Sequence, residues 1–66
     1  MKVNKDKIKK ERLRRNLSYE GFGELVGVST LTVYYWENGT HTPNYKNIRK
    51  LSETTGQSHE YFYDLE

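Results

Sequence analysis

The chain has no cysteine among its 66 residues. That excludes a disulfide framework and a thiolate metal site, the usual props of so small a domain. Its two histidines, His41 and His59, lack ligand-like spacing, so no metal is expected. No apolar run approaches the roughly 20 residues a membrane span needs. The basic N-terminus lacks the apolar stretch of a signal peptide, and a soluble cytoplasmic protein is expected. Paired carboxylates, an activated nucleophile and a phosphate-cradling loop are missing too. Gly21-Phe22-Gly23 falls inside a helical stretch rather than after a strand. Neither an enzyme, a cofactor nor a small-molecule ligand is therefore expected.

Positive charge is also missing from the middle of the chain. Residues 17–45 hold no Lys or Arg, only Glu20, Glu24 and Glu37, for a local charge of −3. Residues 1–16 carry eight basic side chains against Asp6 and Glu11, or +6, and the remainder carries −1. Lys5, Lys7, Lys9 and Lys10 read either as a solvated helix face or as an arm facing phosphates. The second reading makes binding fall steeply with salt.

What is present is helical punctuation. Residues 5–15 form a first helix with Asn4 as N-cap, Asn16 as a left-handed stop, and Ile8, Arg12 and Leu13 near one stripe. Ser18 caps a second helix whose inward residues are expected to be Phe22, Leu25 and Val26, and Gly27 ends it. Val28 plugs the gap, and Ser29 caps a third helix over 30–38, stopped by Asn38-Gly39. After Pro43 a fourth helix runs over 44–54 with Ile48 and Leu51 inward, closed by Gly56. Ser58 then caps a short fifth helix carrying Tyr61, Phe62, Tyr63 and Leu65. No strand pattern, linker or repeat interrupts residues 1–66, which read as one all-α domain with a helix-turn-helix over about 18–38.

At about 100° per residue, Thr30, Leu31, Tyr34 and Tyr35 share one sector of the third helix. Val33, Trp36 and Glu37 lie opposite, with Trp36 as the buried anchor. Two tyrosines beside Leu31 make costly surface unless something covers it.

The run Leu17-Ser18, Glu20, Phe22, Glu24, Val26-Gly27-Val28-Ser29, Thr32-Val33, Trp36-Glu37-Asn38-Gly39 and Pro43 resembles the Cro/C1-type helix-turn-helix of phage repressors. Ile8-Lys9-Lys10-Glu11-Arg12 is similar to that family's first helix, and residues 56–62 to its fifth. The likeness spans about residues 7–63. It implies a five-helix, lambda-repressor-like domain and a sequence-specific regulator of double-stranded DNA, of repressor type.

The resemblance also implies roles. Thr30, Leu31, Tyr34 and Tyr35 match positions that face base edges in the major groove. Ser18, Tyr19, Ser29, Thr32 and Asn38 are the candidate phosphate contacts, joined by Lys9 and Lys46 for long-range attraction. Backbone N–H groups at a helix start attract phosphate without side-chain charge, which suits a stretch without Lys or Arg. Arg12 and Glu37 match a buried ion pair between the first and third helices. Two positions depart from the pattern: Tyr19, which either donates to phosphate through its hydroxyl or packs over the first helix, stands where the family usually has Gln, and Gly23 where it usually has Ala.

One such domain covers a half-site, so a homodimer on a pseudo-palindromic operator is expected. Tyr61 and Tyr63 are either the two-fold contact or a cover on the core of a monomer. An alternative function is a protein-interaction or antitoxin-like module that uses the surface of the third helix.

Overall fold

Every helix in this computed structural model, which describes residues 2–64, opens on a side chain that accepts from its own first turn. The order is β1 (Lys2–Val3), α1 (Lys5–Arg14), α2 (Tyr19–Val26), α3 (Thr30–Asn38), α4 (Tyr45–Thr55), a single 3-10 turn (Glu60–Phe62) and β2 (Tyr63–Asp64). Asn4 Oδ1 accepts from the N–H of Asp6 at 3.0 Å, Ser18 Oγ from Gly21 at 3.0 Å, Ser29 Oγ from Thr32 at 3.0 Å and Asn44 Oδ1 from Asn47 at 2.9 Å. Each cap satisfies an otherwise orphaned donor, which stabilises the helix by about 1 kcal/mol. Asn16 takes the left-handed stop after α1, with φ of 58°.

Every helix and the 3-10 turn send side chains to one core. Ile8 comes from α1, Phe22 and Val26 from α2, Val33 and Trp36 from α3, Ile48 and Leu51 from α4, and Phe62 from the turn. Full burial of each such side chain stabilises the fold by about 1.5–3 kcal/mol before entropy is counted.

The expected fifth helix is absent. After Phe62 the chain extends, and β2 pairs antiparallel with β1, placing Tyr63 opposite Val3 and Asp64 opposite Lys2. Asn4 joins this clasp: its N–H donates to the Phe62 carbonyl at 2.8 Å, and its Nδ2 to Asp64 Oδ1 at 2.9 Å. Pairing with β1 satisfies backbone groups that another helical turn would otherwise have to satisfy within itself. The described domain is thus mainly helical, with four helices, one 3-10 turn and a two-stranded clasp. Leu65, the last residue of the expected helix, lies outside the described residues.

Two inward assignments also change. Leu25 is exposed, and Gly23 is buried in its place beside Phe22 and Val26. At about 100° per residue, Phe22, Val26 and Gly23 form a stripe that leaves Leu25 about 60° outside it. The stripe is drawn toward Gly23 because the turn into α3 lies against that residue: the N–H groups of Gly27 and Val28 both donate to its carbonyl, at 2.8 and 2.9 Å. Leu13 is likewise exposed, and the charged Glu11 fills the buried stripe of α1 with Ile8 and Arg12.

Candidate nucleic-acid interface

The orientation of α3 follows from what holds its inner side. Val33 and Trp36 are buried in the core, and one turn of chain links α3 to α2 through the left-handed Gly27, with φ of 95°. Glu37 is fixed by α1: Arg12 donates from Nε to Oε2 at 2.7 Å and from Nη2 to Oε1 at 2.9 Å. The third Arg12 bond, from Nη1 to the Leu17 carbonyl at 2.9 Å, ties in the segment before α2. The bonds to Glu37 hold this guanidinium charged more firmly than an ordinary arginine, against the opposing effect of burial. A planar fork suits the task, because two parallel bonds fix orientation as well as distance.

With Trp36 inside, the opposite side of α3 is outward. Thr30 and Leu31 are exposed, Tyr34 is 44% exposed and Tyr35 is half-buried. The rings are not loose. Arg12 lies over the Tyr19 ring, its Cζ 4.2 Å from the centroid. Tyr19 meets Tyr34 edge-on with centroids 5.5 Å apart, Tyr34 meets Tyr35 at 5.9 Å, and Tyr35 stacks on His41 at 4.9 Å and 23°. A continuous chain of contacts therefore runs from the buried Glu37–Arg12 pair to the exposed loop after α3. Tyr19, the departure from the family pattern, is the link that spans α1 and α3.

Beside Tyr35 and His41 the surface is concave. Ser29, Leu31, Thr32 and Tyr35 line one open groove of about 320 Å³ with His41, Thr42, Asn44 and Asn47. Thr32 serves as partner to the helix start, its hydroxyl 2.8 Å from Ser29 Oγ. Asn38 is exposed at the far end, where its Oδ1 accepts from the Thr40 N–H at 2.8 Å and shapes the loop.

A helix-turn-helix family model matches residues 8–62 of this chain. The chain belongs to the Cro/C1-type helix-turn-helix family. That family is not enzymatic. The fold of this helix-turn-helix domain is lambda-repressor-like. It aligns with a crystal structure of the P22 c2 repressor protein in complex with synthetic operator 9T in the presence of Tl+, at a TM-score of 0.85 and 24% identity over 100% of both chains. No curated protein matches it in sequence.

Within the helix-turn-helix, the structure gathers Ser29, Leu31, Thr32 and Tyr35 in the groove, with Tyr34 beside it and Thr30 at the exposed start of α3. Ser18 sits at the start of α2, where its hydroxyl already caps Gly21. Lys9 on α1 and Lys46 in the first turn of α4 are exposed and lie outside the groove lining. Tyr61 and Tyr63 both pack against the core. The Tyr61 ring lies under Lys7 Nζ and edge-on to Phe62, and its hydroxyl donates to Glu11, which favours the core-covering role over a two-fold contact.

Sequence reasoning overlooked His41, Thr42, Asn44 and Asn47 in the groove. A signal for them existed in Gly39, whose left-handed φ of 84° turns the chain back across α3. Among the described residues no helix is long and apolar enough to cross a membrane.

Proposed function

We propose that this helix-turn-helix domain binds double-stranded DNA sequence-specifically, with α3 in the major groove, and acts as a transcriptional repressor of phage or mobile-element type. The observation that carries the reading is the outward face of Thr30, Leu31, Tyr34 and Tyr35, braced from behind by Trp36 and by the Arg12–Glu37 pair. Such rigid backing is what base readout needs, since a loosely held side chain reads no particular base. Leu31 suits a thymine methyl, and the Thr30 and tyrosine hydroxyls reach either base type. Ser18, Tyr19, Ser29, Thr32 and Asn38 rim that face and are assigned to phosphate, with Lys9 and Lys46 supplying attraction at longer range. A homodimer on a pseudo-palindrome supplies the second half-site.

Selection of bound duplexes from a random pool tests this. Leu31→Ala and Tyr34→Ala should relax preference at particular base pairs, each by about 1–3 kcal/mol, whereas Lys9→Ala should weaken all duplexes alike. Uniform loss from every variant contradicts the role given to α3.

The absence of Lys and Arg from residues 17–45 favours a second reading, in which the Leu31 and Tyr34 surface docks a protein such as a toxin. Titration with random duplex across salt separates the two: binding without any salt slope supports the protein partner.

A further inference from the structure

The loop after α3 is more than a connection, because its backbone and one of its side chains are both tied to Tyr35. Gly39 reverses the chain, Asn38 Oδ1 accepts from Thr40, and the His41 N–H then donates to the Tyr35 carbonyl at 3.3 Å. That return lays the His41 imidazole nearly parallel to the Tyr35 ring, at 4.9 Å and 23°. Tyr35 also meets Tyr34, at 5.9 Å and 52°. The Tyr35 ring therefore has two aromatic neighbours, of which His41 is the closer and the more nearly parallel, and His41 and Tyr35 line the same groove. His41 is itself exposed, so the stack adds little to the core.

We infer that His41 is a positioning residue for base readout: its stack sets the direction of the Tyr35 ring and so the place its hydroxyl reaches in the groove. This deepens the proposed DNA reading and rests on it. A tyrosine free to rotate about its side-chain bonds samples several rotamers and averages over base pairs, whereas a stacked ring reads one of them.

The test is duplex selection with the whole chain, comparing wild type, His41→Ala, His41→Phe, Tyr35→Ala and the His41→Ala/Tyr35→Ala double variant. Thermal melting of each confirms folding. His41→Ala should reduce preference by about fivefold or more at the base pairs that Tyr35→Ala affects, and His41→Phe, which keeps a flat ring, should restore it to within about twofold. The double variant should lose no more than Tyr35→Ala alone. An equal loss on every duplex, with a shallower salt slope and no rescue by His41→Phe, makes His41 a phosphate contact and overturns the inference. Unchanged preference in His41→Ala overturns it as well. If wild type itself shows no preference among duplexes, base readout by α3 fails first, and the positioning role falls with it.

Discussion

The hydroxyl of Tyr61 donates to Oε2 of Glu11 at 2.7 Å, joining the end of the described chain to the middle of α1. Glu11 is fully buried, and Arg14, Arg15 and Gln57 also donate to its carboxylate. Arg15 extends the network to the Thr55 carbonyl at 3.1 Å, so α1, α4 and the 3-10 turn meet at one acidic side chain. A hydrogen bond to a charged group contributes about 1.5–3 kcal/mol, and Tyr61→Phe should cost the lower end because other donors remain. Urea unfolding checks this; a variant as stable as wild type would show the bond to be dispensable.

The same cluster sets a pH response. Burial alone pushes the Glu11 carboxyl up, but bonds from Arg15 and Tyr61 and the charges of Arg14 and Arg15 outweigh it, holding the group below its ordinary value of 4.5. The unfolded chain then takes up the proton first as pH falls. The contribution is complete above about pH 4.5 and is lost as pH drops through the folded value. Melting temperature should decline in acid for wild type, while Glu11→Gln should be less stable near neutrality and flatter below about pH 5. Tyr61 behaves oppositely. Burial and then the Glu11 bond push it up from 10.0, so its contribution is complete below that value and is lost in stronger alkali.

Much of this architecture was legible because helix starts and stops are local chemistry. Asn4, Ser18 and Ser29 cap through their own first turns, and Gly27, Gly39 and Gly56 take left-handed conformations with no help from distant residues. The β1–β2 clasp was not legible, since two-residue strands carry no periodicity and Val3 finds Tyr63 only in three dimensions. Glu11 was hidden by its charge among lysines and arginines. Its spacing from Ile8, Arg12 and Arg15 was the available sign, for it places Glu11 on the inward stripe. The outward face of α3 was readable from its period, but the Tyr19, Tyr34, Tyr35 and His41 contacts depend on how α2 and the loop pack.

Two glycines of α2 should respond oppositely to alanine. A Cβ on Gly23 would lie 2.8 Å from the Val28 carbonyl oxygen and 3.2 Å from that of Ser29, both backbone atoms of the turn. The alanine usual in the family does not fit there without moving the turn. Gly23→Ala should therefore destabilise by about 1–3 kcal/mol despite better helix propensity. A Cβ on Gly21 meets mainly the end of the Leu17 side chain, at 3.3 Å, which can shift. Gly21→Ala should stabilise by about 0.5–1 kcal/mol. Denaturation midpoints of the two variants decide it, and a stabilised Gly23→Ala would mean the turn yields easily.

The Arg12–Glu37 pair should be costly to break and cheap to replace. Both side chains are at most 9% exposed, so Glu37→Ala strands a buried guanidinium and should cost about 3–5 kcal/mol. Arg12→Met/Glu37→Leu, which removes both charges, should recover most of that loss. It should not recover duplex preference, because Tyr19 also loses the cation over its ring and with it the brace on Tyr34. Measuring stability and duplex selection on the same variants separates the two roles.

Salt dependence tests how this domain meets phosphate. Residues 17–45 hold no lysine or arginine, so on the proposed reading neutralisation falls to exposed side chains such as Lys9 and Lys46. Amides at the starts of α2 and α3 attract phosphate as partial charges and displace fewer counterions than an ammonium group. With about two neutralised phosphates per protomer, the slope of log K against log salt should be about −3.6 for a dimer, at about −0.9 for each phosphate. Lys46→Ala should flatten it by about 0.9 for each protomer bound, whereas Tyr34→Ala should lower affinity at one salt concentration and leave the slope unchanged. A slope that Lys46→Ala leaves untouched would remove Lys46 from the interface while sparing α3.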